Sequence, residues 1–183
     1  MMLRTIAVFC GSALNTPEIY SRAAFEAGRT IARQGRRLVY GSGSGGLMGQ
    51  VAMGAQKEGG YVIGVNVEYF RDYPYTLATD EYLVIDTMQN RKLTMIDKSD
   101  GCVALPGGMG TLDELTEIAC MNQIGLRSKP FGLLNIDGYF DGLLTQFKRA
   151  VRDGFMTASD LESILVAEDM ETLLAKMDAA QEP

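Results

Sequence analysis

The side chains best able to do chemistry gather around one stretch, Asp100-Gly-Cys-Val-Ala-Leu-Pro-Gly-Gly-Met-Gly-Thr-Leu-Asp-Glu114. A short apolar run, Cys102 to Leu105, enters a glycine turn, Pro106 to Gly110, and a helix is expected to open at Thr111. A strand feeding a glycine turn and a helix start brings free backbone N–H groups and the positive end of a helix dipole to one point, where an anion such as phosphate would sit. The carboxylates of Asp113 and Glu114 stand beside that point, Glu117 follows one turn on, and Arg91 and Lys92 precede it on an expected neighbouring helix. Arg suits phosphate or carboxylate because its planar fork donates parallel hydrogen bonds. The same spacing has a purely structural explanation. Thr111-Leu-Asp-Glu114 has the form of a capping box, worth roughly 0.5–2 kcal/mol, and spacing alone favours that role for Glu114. Arg91 and Lys92, read alone, fit a solvated helix face.

Composition narrows what that stretch can do. The chain of 183 residues has no histidine, which removes the commonest general base, the usual catalytic zinc ligand and any Ser-His-Asp arrangement. A net charge of −6 argues against a general nucleic-acid binder, which needs a basic face to displace counterions. Cys10, Cys102 and Cys120 stand far apart without metal or redox spacing, as small core residues of a reducing compartment would. The N-terminal residues lack the apolar run of a signal peptide, and no stretch approaches a membrane span. A cytoplasmic protein without membrane association is expected.

The elements that must position these groups follow from periodicity. Apolar runs of strand length alternate with longer amphipathic stretches, the pattern of βαβ units. Strands are expected over Thr5–Cys10, Leu38–Tyr40, Tyr61–Val67, Tyr82–Ile85, Cys102–Leu105, Phe131–Asn135 and Ile164–Val166. Helices are expected from Pro17 to about Gln34, Leu47 to about Glu58, Met88 to Lys98, Thr111 to Ile124, Phe140 to Arg152 and Glu168 to Met177. An aromatic-rich loop, Glu68 to Asp80, lies between, suited to folding over a site, to a subunit contact or to plain surface. The fold class is α/β, a Rossmann-like, doubly wound and mostly parallel sheet in one domain over residues 1–183, with a frayed tail from about 179. In such sheets ligands bind beyond the carboxyl ends of the strands. Three expected strand ends carry turn residues suited to close ligand approach: Gly11-Ser12, Gly41 to Gly46, and Pro106 to Gly110.

Gly41-x-Gly43-x-x-Gly46 matches the dinucleotide fingerprint, with Glu68 placed as a ribose-binding acid, but it follows the second strand rather than the first. It fits a dinucleotide, a smaller nucleotide or phosphate, or a structural turn. It is not a Walker A loop, since no Gly-Lys-Ser/Thr follows.

Pro106-Gly-Gly-Met-Gly-Thr-Leu-Asp-Glu114 resembles the Pro-Gly-Gly-x-Gly-Thr-x-x-Glu signature of the Lonely Guy family, the cytokinin riboside 5′-monophosphate phosphoribohydrolases, often mislabelled as lysine decarboxylases. Further matches run along the chain: Val8-Phe-Cys-Gly-Ser12, Leu38-Val-Tyr-Gly41, Gly46-Leu-Met-Gly49, Val62-Ile-Gly-Val65, Met88-x-x-Arg-Lys92, Gln123-Ile-Gly125 and Gly132-Leu-Leu-Asn-x-Asp-Gly-Tyr139. The resemblance implies a hydrolase without metal or cofactor that cuts the N-glycosidic bond of a nucleoside 5′-monophosphate. The products would be free base and ribose 5-phosphate. It implies a homodimer with active sites near the interface. The family's catalytic arginine and glutamate fall on Arg91 and Glu114, and its nucleotide-binding residues on Arg91, Lys92, Gly107, Gly108, Met109, Gly110 and Thr111. Gly43, Ser44, Gly45 and Gly46 would assist at the phosphate, and Ser12, Met88 and Glu117 complete the expected binding set. Gln89-Asn90, Met121 and the loop Gly41-Ser-Gly-Ser-Gly-Gly46 depart from the family pattern, which leaves AMP beside prenylated nucleotides as a candidate substrate. The alternatives are a nucleotide or molybdenum-cofactor carrier without turnover and, on the glycine fingerprint alone, an NAD-dependent oxidoreductase.

Overall fold

The computed structural model describes residues 2–71 and 77–181. The strands are β1 (Thr5–Phe9), β2 (Arg37–Tyr40), β3 (Val62–Val67), β4 (Glu81–Ile85), β5 (Gly101–Ala104), β6 (Phe131–Leu134) and β7 (Ile164–Ala167). They form one sheet in the order β4-β3-β2-β1-β5-β6-β7, and every adjacent pair is parallel. The helices are α1 (Glu18–Arg33), α2 (Gly46–Lys57), α3 (Met88–Asp97), α4 (Met109–Gln123), α5 (Asp141–Arg152), α6 (Ala158–Glu162) and α7 (Met170–Ala179). The chain starts in the middle of the sheet, winds out to β4, and returns to place β5 on the free side of β1. Because such crossovers keep one hand, the reversal sends helices to opposite faces and opens a crevice between the ends of β1 and β5.

Alternation along β1 shows how the strands serve both layers. Ile6, Val8 and Cys10 pack with α1, α2 and α7, while Ala7 and Phe9 pack with α3, α4 and α5. Covered on both faces, the inner strands read as continuous apolar runs, which is why they were legible as strands. The tightest helix contact is between α1 and α2. A Cβ at Gly28 would lie 2.0 Å from the Val51 carbonyl oxygen, and one at Gly54 2.0 Å from that of Phe25. The two backbones therefore touch directly, and only glycine fits at either position.

Several boundaries differ from expectation. The first turn of α4 opens at Met109, two residues before Thr111, with Gly108 at its N-cap and no side-chain cap. The expected capping box is therefore absent: Thr111 lies inside the helix, and Glu114 does not reach back to a cap. Pro17 rather than Thr16 caps α1, with no side-chain hydrogen bond. The last helix begins after Asp169, whose side chain accepts from the Thr172 N–H, instead of at Glu168. The short α6 escaped the sequence reading, although Thr157 and Asp160 form a complete capping box there. Within the expected aromatic loop, Glu68–Phe70 is a turn of 3-10 helix, and residues 72–76 lie outside those described. Ala179, the expected start of a frayed tail, closes α7; residues 182–183 are outside the described range.

Gly28→Ala and Gly54→Ala each push a methyl group into a carbonyl. Each is expected to lower the unfolding free energy in urea by about 1–3 kcal/mol or more, against Gly→Ala changes at open surface positions as controls.

Candidate active site

At the reversal between β1 and β5 a cavity of about 770 Å³ opens at the carboxyl edge of the sheet. The loop after β1, the glycine loop after β2, Asn66 on β3, Arg91 on α3 and the glycine turn entering α4 all contribute to its wall. The Gly11 N–H donates to the Pro106 carbonyl at 3.0 Å, tying the loops of β1 and β5 across the crevice. The volume suits a small molecule of nucleotide size. A second cavity, about 820 Å³, lies by Lys129, Pro130 and Phe131; there the Lys129 ammonium is committed to the Ile96 and Ser99 carbonyls at 2.6 and 2.5 Å.

Arg91 sits in the first turn of α3, whose N-cap Thr87 accepts from the Asn90 N–H at 3.2 Å. The residue is 7% exposed, so it is not a solvated face. Nε donates to the Val65 carbonyl at 2.9 Å, Nη2 to the Gly41 carbonyl at 3.1 Å, and Nη1 to Glu114 Oε1 at 3.1 Å. Glu114 is itself 9% exposed, and no hydrogen bond reaches its Oε2 among the described residues. Burial raises the Glu114 pKa above its ordinary 4.5, while the Arg91 charge opposes that rise. A carboxylate beside a fixed cation, with one oxygen unspent at a cavity wall, can serve a developing positive charge or hold a water.

Lys92 turns away from the cavity. Its Nζ donates to Asp113 Oδ1 and Glu117 Oε2, both at 2.9 Å. Burial works against its charge, yet Glu117 and Asp113 outweigh that and hold its pKa above the ordinary value. Lys92 and Glu117 thus belong to an ion triad behind the site and are not in the cavity wall, contrary to expectation.

The two glycine turns, with four and three glycines, look alike in sequence but differ in what they offer. At the start of α2, the Leu47 and Met48 N–H groups are already used by the Gly11 carbonyl, at 2.9 and 3.3 Å. Ser44, Gly45 and Gly46 lie outside the cavity wall, where Gly46, at φ +55, packs on the Ser12 and Ala13 backbone. Gly43 remains in the wall. At the start of α4, the N–H groups of Met109, Gly110 and Thr111 have no partner among the described residues, and Gly107, Gly108, Gly110 and Thr111 line the cavity. A Cβ at Gly107 would lie 2.1 Å from Thr111 Oγ1, so this turn exists only with glycine there. The Met109 side chain is 83% exposed and points out of the wall. Ser12 and Met88 also line the cavity.

The cavity wall also holds groups the sequence reading did not assign: Cys10, Ser42, Asn66, Phe70, Tyr20 and Tyr139. Burial, reinforced by the Glu114 carboxylate, pushes the Cys10 thiol up, so it is neutral and no nucleophile. Of the departures from the family pattern, only Ser42 is in the wall; Gln89, Asn90 and Met121 are not. Glu68, the expected ribose acid of a dinucleotide site, is exposed, bonds Arg71 at 2.8 Å and lies outside the cavity, which removes that reading's anchor. Among the described residues, no three His, Cys, Asp or Glu side chains meet as a metal site.

Fold and site define a doubly wound α/β protein with a free helix N-terminus and a buried Arg–Glu pair in one crevice. A family model described as "Possible lysine decarboxylase" matches residues 48–177. A rice protein (Oryza sativa subsp. japonica) described as probable cytokinin riboside 5′-monophosphate phosphoribohydrolase LOGL9 is 42% identical over 176 residues, 96% of this chain and 78% of that protein. The Arabidopsis thaliana cytokinin riboside 5′-monophosphate phosphoribohydrolase LOG5 is 40% identical over 177 residues, with the same coverage. The chain belongs to this cytokinin riboside 5′-monophosphate phosphoribohydrolase (LOG) family. The molybdenum cofactor binding protein of Rippkaea orientalis superposes with a TM-score of 0.74 at 23% identity over 98% of both chains, a likeness of fold alone.

Removing one partner of a buried pair strands the other. Arg91→Ala is expected to cost about 3–5 kcal/mol in urea unfolding, because Glu114 loses its cation and two carbonyls lose their donor. Lys92→Ala, whose partners Asp113 and Glu117 reach solvent, is expected to cost less.

Proposed function

We propose that this chain hydrolyses the N-glycosidic bond of cytokinin riboside 5′-monophosphates and of AMP, releasing the base and ribose 5-phosphate. The observation that carries the reading is the buried Arg91–Glu114 pair beside an unpartnered helix N-terminus in a cavity of nucleotide size. Relatives at about 40% identity over nearly the whole chain are named for this activity.

The chemistry fits these groups without histidine. As the C1′–N bond lengthens, positive charge builds on the ribose, and a nearby carboxylate stabilises it. Glu114 supplies that charge through Oε2. Water adds to C1′, and its proton balances the departing base. The 5′-phosphate docks on the N–H groups of Gly108 to Thr111, so that binding energy far from the reacting bond positions the sugar. Arg91 has spent three N–H groups on Val65, Gly41 and Glu114, and its remaining donors face the nucleotide. The description as a lysine decarboxylase finds no support in the cavity. A pyridoxal enzyme needs a lysine for its Schiff base, no lysine is in the wall, and Lys92 is held by two carboxylates.

We read the protein as a homodimer with sites near the interface. Supporting this, Phe70, Met88 and Tyr139 line the cavity and are exposed, and Tyr69, exposed as well, packs edge-on against Phe70 at 4.9 Å. A cytoplasmic location is consistent with three free cysteines, and no helix among the described residues is long and apolar enough to cross a membrane.

The test is release of free base from isopentenyladenosine 5′-monophosphate and from AMP, followed by chromatography; turnover of neither would overturn the reading. Glu114→Gln keeps the shape and is expected to lower kcat by on the order of 10²–10⁴-fold. The pH sign follows from burial: the carboxyl ionises only above a raised pKa. Activity that needs the carboxylate is therefore lost as pH falls, with an acid limb in kcat/KM above the ordinary 4.5. An acid limb at or below that value would contradict the role. Sedimentation velocity is expected to give a dimer that Tyr69→Asp weakens.

A further inference from the structure

The loop between β6 and α5 carries Asn135-Ile-Asp-Gly-Tyr139. Its backbone is costly. Asp137 adopts φ 52 and ψ 35, a left-handed conformation that an L side chain enters at a penalty, and Gly138 follows at φ +66. Two bonds hold the turn in place: Asn135 Oδ1 accepts from the Phe140 N–H at 2.7 Å, and Asn135 Nδ2 donates to Asp141 Oδ1 at 2.8 Å. Strain that is locked in this way points to something the turn presents.

What it presents is Tyr139. The ring stands edge-on to Phe140, centroids 5.1 Å apart, and edge-on to Tyr20, 5.5 Å apart. Phe140 is fully buried, so the ring is anchored from beneath. Its hydroxyl donates to the Gly107 carbonyl at 2.6 Å, across 32 positions of sequence. Gly107 belongs to the turn that enters α4 and cannot carry a side chain to brace itself. In a trans peptide the C=O and the following N–H point in opposite directions. Holding the Gly107 oxygen against Tyr139 therefore fixes the Gly108 N–H on the opposite edge of that peptide unit, next in the chain to the unpartnered N–H groups of Met109, Gly110 and Thr111.

We propose that Tyr139 is a positioning residue for the substrate's phosphate: its hydroxyl locks the glycine turn in the orientation that aims backbone N–H groups at the anion. The inference rests on the phosphoribohydrolase reading above and assigns to the strained Asn135–Tyr139 turn the task of delivering that hydroxyl. It touches no reacting atom, so its signature is in phosphate binding and not in bond cleavage.

Tyr139→Phe removes the hydroxyl and keeps the ring with its packing. Calorimetric titration with ribose 5-phosphate is expected to show a Kd about five- to tenfold weaker than wild type, the scale of one hydrogen bond. KM for isopentenyladenosine 5′-monophosphate rises alike, while the melting temperature stays near wild type. Tyr139→Leu, lacking ring and hydroxyl, weakens binding at least as much. If Tyr139→Phe binds ribose 5-phosphate within about twofold of a wild type that is itself active, the inference falls and the proposed function stands; weakening by Leu alone, not by Phe, likewise assigns the effect to the ring and overturns it. A wild type that neither binds ribose 5-phosphate nor releases base overturns both.

Discussion

The guanidinium of Arg91 is the point on which the site depends. It reaches from the first turn of α3 to the carbonyl of Val65 on β3, the carbonyl of Gly41 after β2, and the carboxylate of Glu114 on α4. These elements come from both sides of the sheet's central strand, and the one guanidinium bonds to all three. Gly41 must lack a side chain for this, since a Cβ would lie 2.0 Å from Nη2. A buried cation is expensive unless partnered, and here each bond that satisfies Arg91 also places a piece of the cavity wall. Structural and chemical duties are therefore carried by the same atoms.

Three further charges, Lys92, Asp113 and Glu117, crowd the same region, and their arrangement decides how Glu114 behaves. Asp113 and Glu117 would each raise the cost of ionising Glu114 if left unpaired beside it. Lys92 takes both, leaving the Arg91–Glu114 pair to itself. Asp113 still pushes the Glu114 pKa up and Lys92 pulls it down, but burial and Arg91 are the larger influences. The consequence is a buried carboxylate in the cavity wall that is costly to ionise yet keeps a cation on one oxygen. Lys92 supports this state from behind without entering the cavity, so a residue that looks in sequence like a phosphate ligand acts as a charge screen.

The sheet was legible because its chemistry is local. Inner strands buried on both faces must be apolar throughout, and helices with one buried face must repeat at their own period, so β1, β2, β3, β5 and β6 and six of seven helices left their pattern in the chain, while the edge strands β4 and β7 showed as short apolar runs. Arg91 and Glu114 were legible as residue types, but not their environment. Nothing in Met88-x-x-Arg-Lys92 separates a solvated arginine from one 7% exposed, because burial is set by β3 and β2, which lie far away in sequence. The mistaken cap at Thr111 has a similar origin. The pattern of a capping box was present, but Gly108 takes the N-cap position and Thr111 lies inside the helix with its side chain against Gly107. Tyr139 carried no local sign of its role, since its partner carbonyl belongs to a different loop.

The two glycine loops show why composition alone cannot locate an anion site. Both follow strands, both open helices, and both lack side-chain caps. A helix N-terminus attracts an anion only through N–H groups that nothing else satisfies. The loop after β1 folds so that the Gly11 carbonyl meets the first turn of α2, neutralising that end with a backbone oxygen and stitching β1 to α2. The α4 end receives no such oxygen, because the Gly107 carbonyl, which belongs to its own entry turn, is held by Tyr139 instead. One dipole is thus used to build the crevice and the other is left open within it. The same sheet reversal that separates β2 from β5 determines which is which, so the polarity of the site is a consequence of topology as much as of sequence.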